Sequence, residues 1–188
     1  MFTDIRGFTT ISEKLDPQEL FDWLNGYMEV MSNIVLKYHG IINKYIGDAI
    51  MALFGVPIPH TTPEEIARDA QAAVDCALEM RAAIEKMNEE RVGKPPLGMR
   101  IGIFSGPLAA GTLGSSKRVE YTVIGDTVNI ASRLESYKGV DDSEACRILI
   151  GEFTLQQLGD RYRTRLVGSI HLKGKEKAIT IYQVDGRA

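Results

Sequence analysis

The pattern of apolar and polar positions divides the chain into short alternating stretches and longer runs at helical spacing. Residues 1–6 alternate as a strand does. From 16 to 39 the positions Leu20, Leu24, Tyr27, Met31, Ile34, Val35 and Tyr38 mark one face at a period near 3.6. Asp16 suits the N-cap of this helix, Pro17 its first position and Glu19 a capping-box spacing. Lys37 suits its end, and Gly40 reads as the stop. Residues 41–46 and 49–54 read as two short strands joined tightly through Gly47-Asp48. Thr62-Pro63-Glu64-Glu65 opens a second helix, with Ile66, Ala70, Val74, Ala77, Leu78 and Ile84 on its apolar face, which ends before Lys94-Pro95-Pro96. MRIGIFSG reads as a strand with AAGTLG as its continuation, and GSSKRVE as a polar, hairpin-like segment. YTVIG reads as a strand and DTVNIASRLESYK as a helix. RILIG then reads as a strand, EFTLQQL as a helix, and SIHLKGKEKAITIYQV as a closing strand pair.

This order predicts an α+β fold: a ferredoxin-like β-α-β-β-α-β core with C-terminal additions and helices on one side of the sheet. The 188 residues suit one domain spanning 1–188. No repeat or inter-domain linker interrupts it. Met1-Phe2 begins inside a strand-like stretch, which reads as a piece cut from a longer, multidomain protein.

Composition narrows the function classes. The net charge of −3 argues against nucleic acid as a partner, because that binding depends on a basic surface. Cys76 and Cys146 stand apart in apolar patterns and read as buried thiols of a reducing compartment, not as a disulfide or a zinc site. No apolar run approaches the ~20 residues that cross a bilayer, so membrane contact is not expected of this segment.

The chemistry lies where strands end. Asp4 closes the first strand, and Asp48 sits in the turn of the 41–54 hairpin. If those strands are neighbours, both carboxylates emerge at one edge. A pair of hard oxygen ligands that leaves room for substrate phosphate suits magnesium, and two such ions can clamp a displacement at phosphorus. Two turn aspartates would look the same one at a time. Gly7-Phe8-Thr9 can turn backbone N–H groups toward an anion, or simply turn the chain. In EYTVIGDTVNIASRLE, Asn129 and Arg133 share a helix face at i, i+4. They bring amide donors and a permanently charged fork, suited to a ribose oxygen and a reacting phosphoryl group, though a solvated helix face has the same composition.

Taken together, FTDIRGFT, NKYIGDAIMALFG and YTVIGDTVNIASRLE resemble the class III nucleotidyl cyclase catalytic domain, in order and over nearly the whole chain. The resemblance implies conversion of a nucleoside triphosphate to a 3′,5′-cyclic monophosphate and pyrophosphate. It implies two ions, Mg2+ or Mn2+, at Asp4 and Asp48 with help from the Ile5 carbonyl. Asn129 and Arg133 become the transition-state pair, and Lys44 and Thr122 the base-selecting pair. Lys173 matches a late lysine that contacts the terminal phosphates, and Lys117 or Arg118 aligns loosely with another phosphate contact. Gly7, Phe8 and Thr9 become amides near the leaving group.

Lysine at the first base position implies ATP, where guanylyl cyclases typically carry glutamate. Threonine at the second departs from the commoner aspartate and resembles a bacterial subgroup with bicarbonate-responsive members, which makes bicarbonate a candidate regulator. Hydrogen-bond chemistry agrees: Lys44 donates, Thr122 donates or accepts, and adenine offers an acceptor and a donor. The resemblance further implies a head-to-tail homodimer with shared sites, residues 111–121 reaching over the partner, and a cytoplasmic location. No general base is identified; Asp4, water and substrate phosphate all stay open. The rivals are a guanylate cyclase and a catalytically silent nucleotide-binding module. A diguanylate cyclase shares the core, but its Gly-Gly-acidic-acidic-Phe loop is not in the sequence.

Overall fold

The alternating N-terminal stretch forms strand β1 (Phe2–Arg6) in a computed structural model that describes residues 1–91, 95–171 and 178–188. After Gly7 come a short helix α1 (Phe8–Ser12) and the long helix α2 (Pro17–Lys37). Strands β2 (Ile41–Ile46) and β3 (Ala49–Leu53) follow, then helix α3 (Pro63–Glu89) and strand β4 (Gly98–Ile103). Strands β5 (Ala109–Ser115) and β6 (Arg118–Ile124) lead into helix α4 (Asp126–Glu135). Strand β7 (Cys146–Gly151), helix α5 (Glu152–Leu155), a 3-10 turn (Gly159–Arg161) and strands β8 (Tyr162–His171) and β9 (Ala178–Arg187) complete the order.

Local chemistry sets the helix ends. The Asp16 side chain accepts hydrogen bonds from the Gln18 and Glu19 N–H groups at 2.8 and 3.1 Å. The full reciprocal capping box forms at Thr62, which exchanges bonds with Glu65. The end of α2 differs from expectation. His39, not Gly40, takes the left-handed conformation, with φ 59°. Gly40 is required for space instead: a Cβ there would lie 2.7 Å from Val35 Cγ1 and 2.8 Å from Phe54 Cε1.

Seven strands form one sheet in the order β2-β3-β1-β4-β7-β9-β8. Pairing is antiparallel except between β4 and β7. Helices α2 and α3 cover one face. Met31, Val35, Val74 and Met80 meet Ile5, Ile50, Met99, Ile101 and Ile148 there. Three corrections to the sequence reading follow. Helix α4 lies on the opposite face, where Ile130 and Leu134 pack on Leu149, Ile179 and Ile181, so helices flank both sides. Residues 109–115 do not continue β4. The chain turns through Ser105-Gly106-Pro107, and β5 pairs with β6 in a separate two-stranded ribbon, because Pro107 has no N–H to give a ladder. Strand β8 starts at Tyr162, earlier than its apolar pattern suggests, since an edge strand exposes much of its length.

Candidate active site

The pairing of β1 with β3 delivers the two aspartates to one place. The register Phe2↔Met51 and Thr3↔Ile50 runs the Gly47-Asp48 turn up beside Asp4-Ile5. Gly47 has φ 63°, which the tight turn requires. The Ile5 N–H then donates to Asp48 Oδ2 at 3.0 Å. Burial, and next the negative charge of Asp48, push the Asp4 carboxyl up to about 6. Arg100, its cross-strand partner on β4, opposes the rise. A half-buried carboxyl whose ionisation is opposed by burial and by the neighbouring Asp48 belongs to a donor set that hard divalent cations would relieve. Among the described residues no group of three or more His, Cys, Asp or Glu side chains could hold a metal. The pair therefore suits ions whose remaining ligands come from backbone, substrate and water.

Gly7 follows β1 with φ 73° and ψ 21° and opens α1. Its carbonyl accepts from Thr10 and Ile11 N–H at 3.0 and 3.2 Å. The N–H groups of Phe8 and Thr9 belong to the first turn, which has no intrahelical acceptors. The Phe8 ring turns inward and stacks on Trp23 at 6.4 Å, anchoring α1 to α2.

The strands that carry Lys44 (β2) and Thr122 (β6) are linked through Asn43 and Glu120, which the sequence reading did not single out. The ladder between β2 and β3 shifts register between Ile42 and Lys44. Asn43, at this bulge, bonds across to β6: its Nδ2 donates to Tyr121 O at 3.1 Å, and Thr122 Oγ1 donates to Asn43 Oδ1 at 3.3 Å. Glu120, on the same face of β6 as Thr122, pairs with Lys44, which holds its carboxyl below the usual range. The signals for these residues were slight: a polar pair within a short strand, and a charge two positions before the threonine.

Asn129 and Arg133 project exposed from α4 and are not partners in the Ile5–Asp48, Thr122–Asn43 or Lys44–Glu120 contacts. Their helix is seated by the buried Thr127, Ile130, Ala131 and Leu134. Lys117 and Arg118 sit at the exposed tip of the β5–β6 ribbon, whose Leu113 and Val119 are 62% and 64% exposed. Lys173 lies outside the described residues. Glu135, at the end of α4, was not anticipated; burial and then the charge of Asp4 raise its carboxyl to about 7.

Residues 1–186 match the family model described as the adenylate and guanylate cyclase catalytic domain. The chain therefore belongs to this family. An adenylate cyclase of Anabaena cylindrica is 39% identical over 98% of the chain, and the chain spans 36% of that relative's length. Among solved structures, the adenylyl cyclase CyaB from P. aeruginosa superposes with a TM-score of 0.80 at 37% identity, covering 97% of this chain and 90% of that one. The guanylyl cyclase Cya2 superposes with a TM-score of 0.81 at 35% identity, covering 100% and 90%. The multistranded mixed α+β fold is the one these cyclases share. Among the described residues, no helix is long and apolar enough to cross a membrane.

Proposed function

We propose that the chain is the catalytic unit of an adenylate cyclase, converting ATP to 3′,5′-cyclic AMP and pyrophosphate at sites shared across a head-to-tail homodimer. The observation that carries the reading is the convergence of Asp4 with Asp48 at the Ile5 N–H. In the reaction the ribose 3′-oxygen bonds to the α-phosphorus, the bond to the β-phosphate oxygen breaks, and the hydroxyl proton leaves. Asp4 and Asp48, with the Ile5 carbonyl, would hold two ions, Mg2+ or Mn2+. When bound, these supply Lewis acidity to the hydroxyl and charge neutralisation to the phosphates.

The chain's own groups do the rest. Lys44 donates to an adenine ring nitrogen, and Thr122 accepts from its exocyclic amine. The Gly7-Phe8-Thr9 amides bind departing phosphate oxygens, joined by Lys173. Arg133 stabilises charge gathering on the α-phosphate, and Asn129 orients the ribose. Asn129 and Arg133, exposed on α4, serve a nucleotide held by the partner's aspartates. The exposed apolar ribbon β5–β6 is the element suited to cover that partner. An ATP-consuming unit of this kind belongs in the cytoplasm. Bicarbonate regulation rests on the Lys44/Thr122 pattern alone.

One observation favours a second reading. Glu120 places a carboxylate beside the base-selecting pair, and a carboxylate is what the guanine ring N–H and amine require. Paired with Lys44, however, it is already engaged. The deciding experiment measures product from ATP and from GTP, each with Mg2+ and with Mn2+. Preferential cyclic AMP is expected. Preferential cyclic GMP would establish the guanylate reading, and no product from folded, dimeric protein would leave a silent nucleotide-binding module.

A further inference from the structure

Behind Asp4 the sheet carries a row of charge that the proposed chemistry does not use. Asp4 on β1, Arg100 on β4 and Arg147 on β7 are successive cross-strand partners. They lie on the α4 side, because Met99, Ile101 and Ile148 point into the α2–α3 core. Two guanidinium groups at one register on adjacent strands start from backbones ~5 Å apart and repel. Arg147 is also only 1% exposed.

Asp142, from the connection between α4 and β7, answers both charges. Its Oδ1 lies 2.7 Å from Arg147 Nη1, and its Oδ2 lies 3.2 Å from Arg100 Nε. Arg147 Nη2 in turn donates to the carbonyl of Glu135, the last residue of α4, at 2.7 Å. Helix α4 can reach this contact because β4 carries Gly102, whose missing Cβ would lie 2.3 Å from both Ala131 O and Glu135 N. A buried ion pair adds little stability over apolar side chains of the same size. What it does supply is a fixed place for each charged group.

We infer that Asp142 is a positioning residue for the proposed cyclisation. Its single carboxylate fixes Arg100 beside Asp4 and, through Arg147, fixes the end of the helix that carries Asn129 and Arg133. The inference rests on the cyclase reading. Arg133 stands two residues from the carbonyl that Arg147 holds, so freeing that carbonyl loosens the turn presenting Arg133. Binding of the nucleotide base, at Lys44 and Thr122, lies on other elements and is untouched.

The test compares wild type with Asp142→Ala, Asp142→Asn and the double variant Asp142→Ala/Arg147→Met. Asp142→Ala leaves Arg147 buried without the carboxylate it pairs with and should melt well below wild type. The double variant removes that charge and should melt close to it. Each is measured for kcat and KM with ATP, and for binding of 3′-deoxy-ATP with Mn2+ by calorimetry, an analogue that lacks the attacking hydroxyl. The double variant should bind the analogue within about threefold of wild type and lose at least about tenfold in kcat, the pattern of a contact made in the transition state. Asp142→Asn, which keeps one acceptor oxygen, should fall between. A folded double variant with wild-type kcat, or one whose kcat loss is matched by lost analogue binding, overturns the positioning role. A wild type that makes no cyclic nucleotide in the same assay overturns the cyclase reading instead, and this inference with it.

Discussion

Asp4 and Asp48 show how ordinary turn and strand-end residues are brought together as a candidate site. Neither is unusual alone. Their chemistry arises from a shared position in which burial and the charge of Asp48 raise the cost of ionising Asp4. This has a consequence for stability. Asp4 titrates near 6 and Glu135 near 7 in the fold, both above their unfolded values. The folded state therefore binds more protons than the unfolded state between about pH 4 and 7, and these groups make stability fall as pH rises through that window. Metal-free wild type should lose melting temperature relative to Asp4→Asn as pH goes from 4.5 to 7.5, and Mn2+ should recover more of it at 7.5 than at 4.5. Melting curves at several pH values, with and without the ion, check this. A difference between the two proteins that does not change with pH would contradict it.

Among the elements, α4 depends most on a detail of its neighbour. It lies directly on β4 because Gly102 offers no side chain, and its backbone at Ala131 and Glu135 fills that space. Gly102→Val should cost about 1–3 kcal/mol of stability by overpacking. The folded fraction should also lose turnover, since the displaced helix carries Asn129 and Arg133. Denaturant unfolding and kcat per folded chain separate the two effects. The β2–β3 hairpin is the complementary case. Its turn chemistry at Gly47-Asp48 was plain in the sequence, although only the pairing of β3 with β1 brings Asp48 to the Ile5 N–H. The Asn43 bulge, by contrast, has meaning only because β6 lies alongside.

For the whole molecule, the proposed reading divides the work between chains: the aspartates of one chain and the Asn129/Arg133 pair of its partner would complete each site. Asp4→Ala and Arg133→Ala chains should each be inactive alone. Mixed in equal amounts they should regain about a quarter of wild-type activity, since half the random dimers carry one intact site of two. Specific activity of wild type should rise with protein concentration as dimers form. Cyclic nucleotide assays on the mixture, with the dimer confirmed by sedimentation, check both. A mixture that is dimeric yet inactive contradicts shared sites.

The sequence by itself determined most of the elements and the family. Apolar periodicity, caps and turn residues are local, so α2, α3 and the β2–β3 hairpin could be read directly. The spacing of Asp4, Asp48, Asn129 and Arg133 carried a family resemblance that the family match bears out. Tertiary structure alone decided the rest. It set which face α4 covers, that residues 109–115 leave the main sheet, and that His39 rather than Gly40 adopts the left-handed turn. It also brought Glu120 to Lys44 and Asp142 to Arg100 and Arg147. These are contacts between residues distant along the chain, or contests between steric demands on neighbours. Their energies depend on what the fold brings near, and no local pattern encodes that.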